Sequence, residues 1–314
     1  MAKAISKIIM KSQRNKTIDF SIKDGKEYIK KCESEQSFSA DKVNVTVCGD
    51  TFAVIPKLKD KSVDLLIVDP PYNLSKDFHG KKFKELSLKD YEEYTEKWIN
   101  AVKPKLKDTA SIYVCSDWKS SIVIANVLLR HFILRNRITW SREKGRGAKN
   151  NWKNSMEDIF FCTVSEDYCF NLQAVKQRKK VLAPYREDGK PKDWKEDDNG
   201  KFRDTCPSNF WDDISVPYWS MAENTAHPTQ KPEKLIAKLI LASSNKGDLV
   251  LDPFSGSGTT SVTAKKLGRK YIGIEQNPLY CAWSEKRLSD ADKDKSIQGY
   301  KDGVFWERNS KPQK

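Results

Sequence analysis

Leu249-Val250-Leu251-Asp252-Pro253-Phe254-Ser255-Gly256-Ser257-Gly258-Thr259-Thr260 reads as a short buried strand, a glycine turn and a helix that begins near Thr259. Glycines at 256 and 258 let backbone N–H groups come close to a ligand, and the helix N-terminus behind them favours a carboxylate or another anion. Downstream, Tyr271-Ile272-Gly273-Ile274-Glu275 is a second strand ending in an acid, at about the 20-residue distance expected of a carboxylate that holds ribose hydroxyls. Together these segments fit the nucleoside half of a Rossmann-like site, although the glycine loop by itself fits a plain strand-to-helix turn equally well. The third glycine of the dinucleotide fingerprint is missing and no Gly-Lys-Ser/Thr follows, so nicotinamide and P-loop nucleotides both match poorly.

Earlier in the chain, the apolar run Val63-Asp64-Leu65-Leu66-Ile67-Val68 delivers Asp69-Pro70-Pro71-Tyr72. An acid, a carbonyl stiffened by two prolines and an aromatic face, all at one strand end, can grip a planar amine by its N–H edge and its ring. A nucleobase amino group is a poor nucleophile because its lone pair is delocalised into the ring. A carboxylate on one N–H and a backbone carbonyl on the other localise that pair through charge placement alone. Asp69 and the Pro70 carbonyl fit the two acceptor roles, Pro70 and Pro71 aim the carbonyl, and Tyr72 offers a stacking surface. By itself the tetrapeptide also fits a strand ended by an X-Pro-Pro turn.

Asp69-Pro70-Pro71-Tyr72-Asn73, then His227-Pro228-Thr229-Gln230-Lys231-Pro232, then Asp252-Pro253-Phe254-Ser255-Gly256-Ser257-Gly258-Thr259, resembles the β-class amino-DNA methyltransferases of bacterial restriction–modification systems. The resemblance spans roughly residues 42 to 290 and rests on three motifs in order. It implies S-adenosyl-L-methionine as cofactor, held by His227, Thr229, Lys231, Asp252, Phe254, Ser255, Gly256, Ser257, Gly258 and Thr259, with Glu275 on the ribose. It also implies that Asp50, which closes the run from Val43, accepts from the cofactor's adenine amine, although a Gly-Asp turn is the plainer reading of Gly49-Asp50. In this family an aspartate-first tetrapeptide accompanies N6-adenine methylation and a serine-first one N4-cytosine. The implied activity is therefore site-specific methylation of adenine N6 in double-stranded DNA, with the base flipped out of the duplex, since a strand-end pocket cannot surround a paired amine. The alternatives are N4-cytosine methylation, methylation of RNA or of a protein amide, and an inactive nucleic-acid-binding homologue. The implied fold is α/β: a circularly permuted Rossmann-like S-adenosylmethionine-dependent methyltransferase, with a mostly parallel seven-stranded sheet and an antiparallel edge.

Patterning is consistent with such a sheet. Val- and Ile-rich runs predict strands at 43–48, 63–68, 110–115, 133–140, 157–164, 248–252 and 270–275, and helical spacing marks 88–102, 118–131, 231–244, 259–267 and 278–288. The expected division is a basic extension (1–41), a catalytic half (42–171), a target-recognition region (172–226), a cofactor half (227–290) and a C-terminal tail (291–314) that frays, apart from a hint of packing at Trp306. The resemblance assigns target recognition to 172–226, where Lys176, Arg178, Lys179, Lys180, Arg186, Lys190, Lys192 and Lys195 stand among Tyr185, Trp194, Phe202, Phe210, Trp211, Tyr218 and Trp219. The mixture suits phosphates and base edges, and equally a solvated loop whose aromatics, such as Trp211 and Trp219, anchor it to the core. Arg142 to Lys149 and the loop after Tyr72 (Lys76, His79, Lys81, Lys82) are further DNA candidates.

The net charge of +14 suits a polyanionic partner. The seven cysteines lack ligand spacing, so neither a metal nor a disulfide frame is expected. C5-cytosine methylation needs a thiolate nucleophile, which that enzyme family supplies from a Pro-Cys dipeptide; here only the reverse, Cys206-Pro207, appears. No apolar run approaches a membrane span. The expected setting is cytoplasmic, as a monomer or homodimer, with any cognate restriction endonuclease acting separately.

Overall fold

A computed structural model describes residues 14–79, 81–142, 149–181, 184–197 and 200–307. Its central sheet runs, edge to edge, through Glu33–Ser34, Val45–Cys48, Lys270–Glu275, Leu249–Asp252, Val63–Val68, Leu106–Ser116, Met156–Thr163, Ile133–Ser141 and Phe210–Trp211. The seven inner strands are those the apolar runs predict. The outermost two, of two residues each, are too short to leave any periodicity in the sequence.

Every neighbouring pair is parallel except the two made by Met156–Thr163. The expected antiparallel edge is thus a single antiparallel strand inside the sheet. Ile133–Ser141 turns back to the common direction, and Phe210–Trp211 extends the sheet beyond it. Because the Val63–Val68 strand precedes Leu249–Asp252 in the chain yet lies next to it, the permuted order of the motifs is built into the topology.

Both faces of the sheet are covered, as a parallel sheet requires. Leu66 and Val68 pack with Trp98, Val102, Ile124 and Leu128 on one face, while Leu65 and Ile67 pack with Leu235, Leu239, Val262 and Leu288 on the other. The Leu88–Val102 helix shows how locally this is encoded. Ser87 caps it by accepting from Asp90 N at 3.1 Å, and Tyr91, Thr95, Trp98, Ile99 and Val102 form its buried stripe. Helix Glu233–Ser243 is buried along its whole length, and its Lys234 and Lys238 both pair with Asp213, at 2.6 and 3.0 Å.

Both ends pack against the rest of the chain. From Arg14 onward the N-terminal extension packs: Ile18 bridges Thr225, and Trp283 Nε1 donates to the Phe20 carbonyl at 3.2 Å. The C-terminal segment does not simply fray. It returns as Tyr300–Lys301 and Val304–Trp306, which join Gln177–Lys180, Gly200–Thr205 and Lys195–Asp197 in a second, five-stranded sheet. Phe305 is wholly buried, in one cluster with Ala237 and Leu241 of the Glu233–Ser243 helix. The pairing of Val304–Trp306 with Gln177–Lys180 is non-local, so Trp306 is its only trace in the sequence. The apolar N-terminal residues Ile5, Ile8, Ile9 and Met10, positions 143–148 of the basic stretch and residues 308–314 lie outside the described residues.

Candidate active site

Parallel register sets Val250 beside Leu65 and Leu251 beside Leu66, so the two strands end side by side and release Asp69 and Asp252 at the same edge of the sheet. In open α/β sheets this is where ligands bind. One cavity of ≈ 500 Å³ opens there, and every predicted site residue except Gly258 lines it. Gly258 stands behind the wall. Its φ is +77°, and a Cβ there would lie 1.9 Å from Ser284 Oγ.

The glycine turn is held from several sides. Gly256, at φ +54°, faces His227, whose Nε2 would lie 3.0 Å from an added Cβ. Glu275 accepts from Gly256 N at 2.9 Å through one oxygen and from Asn277 N at 2.7 Å through the other. Arg287 donates to the Ser257 carbonyl at 2.8 Å, and Thr259 Oγ1 donates to the Lys231 carbonyl at 3.1 Å. His227 Nδ1 accepts from Thr229 N at 3.3 Å, which assigns its ring proton to Nε2. Burial, aided by the Lys231 charge, drives the His227 pKa down to about 3, so the ring is neutral. Burial also pushes the Asp252 carboxyl up to about 7. Asp50 caps the short helix after it by accepting from Phe52 N at 2.9 Å, and it borders the cavity.

At the other end of the cavity, Tyr91 Oη donates to the Pro71 carbonyl at 3.0 Å and pins the diproline turn. Asn73 is buried and ties the following loop back through Leu86 and Ser120. Tyr72 Oη lies 2.8 Å from Asp69 Oδ1 and 3.2 Å from Glu157 Oε2. The Lys231 ammonium, grouped with the cofactor residues by resemblance, sits 2.6 Å from Asp69 Oδ2, 3.2 Å from Glu157 Oε2 and 3.1 Å from Tyr72 Oη. Arg142 pairs with the other Glu157 oxygen.

Sequence reading misses Glu157 and the catalytic-end contacts of Lys231 and Arg142. The available signal is the acid pair Glu157-Asp158 near the start of the strand Met156–Thr163, whose next residues are apolar; Glu157 is 3% exposed. A carboxylate buried that deeply needs a cation, and only the tertiary fold supplies it.

Around the site, the loop after Tyr72 forms a hairpin of Lys76–Phe78 and Lys81–Phe83. His79 at its turn places Nδ1 2.7 Å from Tyr280 Oη and meets Trp283 edge-on, both on the Pro278–Asp290 helix. In the 172–226 region Arg178 is committed to a two-pronged pair with Asp204 at 2.8 and 2.9 Å and lies over the Phe202 ring. Trp194 and Trp211 are buried anchors, each donating its indole N–H to a backbone carbonyl. Lys179, Lys180, Lys190, Lys192 and Lys195 are exposed, as are Tyr185 and Trp219.

Residues 63–286 match the DNA methylase family. The chain is 34% identical over 245 residues to Type II methyltransferase M.HpaI of Haemophilus parainfluenzae, covering 77% of this chain and 73% of that protein. It is 35% identical over 256 residues to DNA adenine methyltransferase YhdJ of Escherichia coli (strain K12), covering 77% and 82%. Among solved structures, the PvuII DNA methyltransferase (cytosine-N4-specific) aligns with a TM-score of 0.58 at 22% identity, over 79% of this chain and 91% of that one. The M1.HpyAVI–SAM complex aligns with a TM-score of 0.54 at 23% identity, over 77% and 98%. At these identities the structural matches speak for the fold.

Proposed function

This chain belongs to the DNA methylase family, and from that premise we propose that it transfers a methyl group from S-adenosylmethionine to the N6 amino group of adenine in double-stranded DNA, as the modifying half of a restriction–modification pair. The observation that carries the reading is the single cavity shared by Asp69–Tyr72 and the Asp252–Thr259 turn. Adenine is favoured by the aspartate that opens the tetrapeptide and by a curated relative named as a DNA adenine methyltransferase.

The lining fits S-adenosylmethionine. Carboxylates of Glu275 and Asp50 line the cavity, for ribose hydroxyls and a base amine. Beside them, the start of the Thr259–Lys266 helix offers N–H groups to a carboxylate. When bound, this cofactor supplies an electrophilic methyl group. The protein's part is to orient and polarise: Asp69 accepts one N–H of the flipped amine, the Pro70 carbonyl accepts the other, and Tyr72 covers the ring. The amine proton becomes acidic only once nitrogen is alkylated, and it then leaves to Asp69 or solvent. Exposed lysines of the second sheet contact phosphates, and the enzyme acts in the cytoplasm independently of any cognate endonuclease.

The test is digestion to nucleosides of unmethylated plasmid DNA treated with the protein and S-adenosylmethionine. N6-methyldeoxyadenosine is expected; N4-methyldeoxycytidine, or no methylated nucleoside, would sink the assignment. Tyr72→Ala should lower transfer by about 1–3 kcal/mol, the worth of one base–aromatic stacking contact, while calorimetry shows cofactor binding retained. Loss of cofactor binding would mean that Tyr72 belongs to the other half of the cleft.

A further inference from the structure

An ammonium has three donors, and those of Lys231 have three oxygens within reach at the catalytic end: Asp69 Oδ2 at 2.6 Å, Tyr72 Oη at 3.1 Å and Glu157 Oε2 at 3.2 Å. None is left over for a cofactor carboxylate. A nitrogen donating to the Asp69 carboxylate while lying 5.3 Å from the Tyr72 ring centroid also has the surroundings that the amine of a flipped base requires. We propose that Lys231 is a positioning residue for Asp69: its ammonium holds the place on Asp69 Oδ2 that the target amine takes, and Glu157 is the counter-ion onto which it withdraws. This inference rests on the amine chemistry proposed for Asp69.

Charge arithmetic supports the exchange. Two carboxylates, Asp69 and Glu157, meet two cations, Lys231 and Arg142, in a site where both Glu157 and Lys231 are buried. An arriving amine is neutral. If the ammonium left with it for solvent, two acids would face one another with Arg142 alone, a costly arrangement in a buried site. Retaining Lys231 on Glu157 avoids that. The Lys231 carbonyl is meanwhile tied to Thr259 at the head of the cofactor helix, so the movement is confined to the side chain.

The surrounding groups fix the sign of the pH effect. Burial raises the Asp69 carboxyl above its ordinary value, Lys231 pulls it back, and Glu157 adds to the rise. Beyond these, Asp252 and Cys115 face it from neighbouring strands, Lys76 from the hairpin, and Arg142 acts through Glu157. Asp69 must be ionised to accept the amine, so transfer falls as pH drops through its raised pKa. Lys231→Met removes the opposing charge and moves that acid limb upward; Glu157→Gln removes the like charge and moves it downward.

The experiment measures transfer of labelled methyl to unmethylated plasmid DNA by the full-length protein, from about pH 5.5 to about pH 9, together with cofactor affinity by calorimetry. For Lys231→Met the limb should rise by about one pH unit or more, with the rate recovering as pH increases and cofactor affinity unchanged. For Glu157→Gln the limb should shift the opposite way. Glu157→Gln decides the matter alone should Lys231→Met fail to fold. A loss equal at every pH in the variants, or loss of cofactor binding in Lys231→Met, would overturn the proposal. A wild-type protein inactive on every DNA would instead overturn the functional assignment.

Discussion

Asp69→Ala is expected to lower methyl transfer by at least about 10²–10³-fold while DNA binding persists. That range is what removal of one transition-state hydrogen-bonding group typically costs, about 3–4 kcal/mol. Two local effects act in the same direction. The amine loses the acceptor that localises its lone pair, and the Lys231 ammonium is left with Glu157 and Tyr72 only. DNA affinity is insulated because the variant removes a negative charge from a chain of net charge +14, which if anything favours a polyanion. Single-turnover transfer and a filter-binding titration on the same preparation separate the two quantities. Transfer within tenfold of wild type, roughly 1.4 kcal/mol, would show that another group polarises the amine.

Gly258→Ala should carry the largest stability loss, and its comparison with Gly247→Ala isolates the reason. Both glycines have positive φ, +77° and +88°, but nothing lies within 4 Å of an added Cβ at 247, whereas at 258 it would meet Ser284 Oγ at 1.9 Å and Ser284 Cβ at 2.6 Å. The left-handed backbone alone costs about 1–2 kcal/mol for an alanine. Overpacking a close contact adds about 1–3 kcal/mol. Denaturant midpoints should therefore place Gly258→Ala below Gly247→Ala by that second increment. Because the Ser284 helix cannot yield without moving Arg287, which holds the Ser257 carbonyl, cofactor affinity should fall in the first variant and not in the second. Equal midpoints would mean that the Ser284 helix gives way freely.

The elements legible in the chain are those whose cause is local. The Leu88–Val102 helix has its cap and its buried stripe within a few turns, and the Val63–Val68 strand ends at the prolines that stop it. The glycines of the cofactor turn sit at the positive φ angles that their residue type permits. The candidate site is similarly legible wherever one motif contains both the reactive group and its support, as in Asp69 with its two prolines. It is not legible for Glu157, whose position on a strand says nothing of the lysine brought to it from the loop before the Glu233–Ser243 helix.

By itself the sequence determined the strand-and-helix alternation, the two ligand-facing motifs and their permuted order, because backbone stiffness, capping and apolar periodicity act over a few residues. Only the tertiary structure decided that Lys231 rests on Asp69 between two acids, that Met156–Thr163 alone reverses direction, and that Val304–Trp306 closes the second sheet. Each of these depends on pairing between segments far apart in the chain, where the free energy comes from burying charge against charge or strand against strand. No short stretch of residues records its partner.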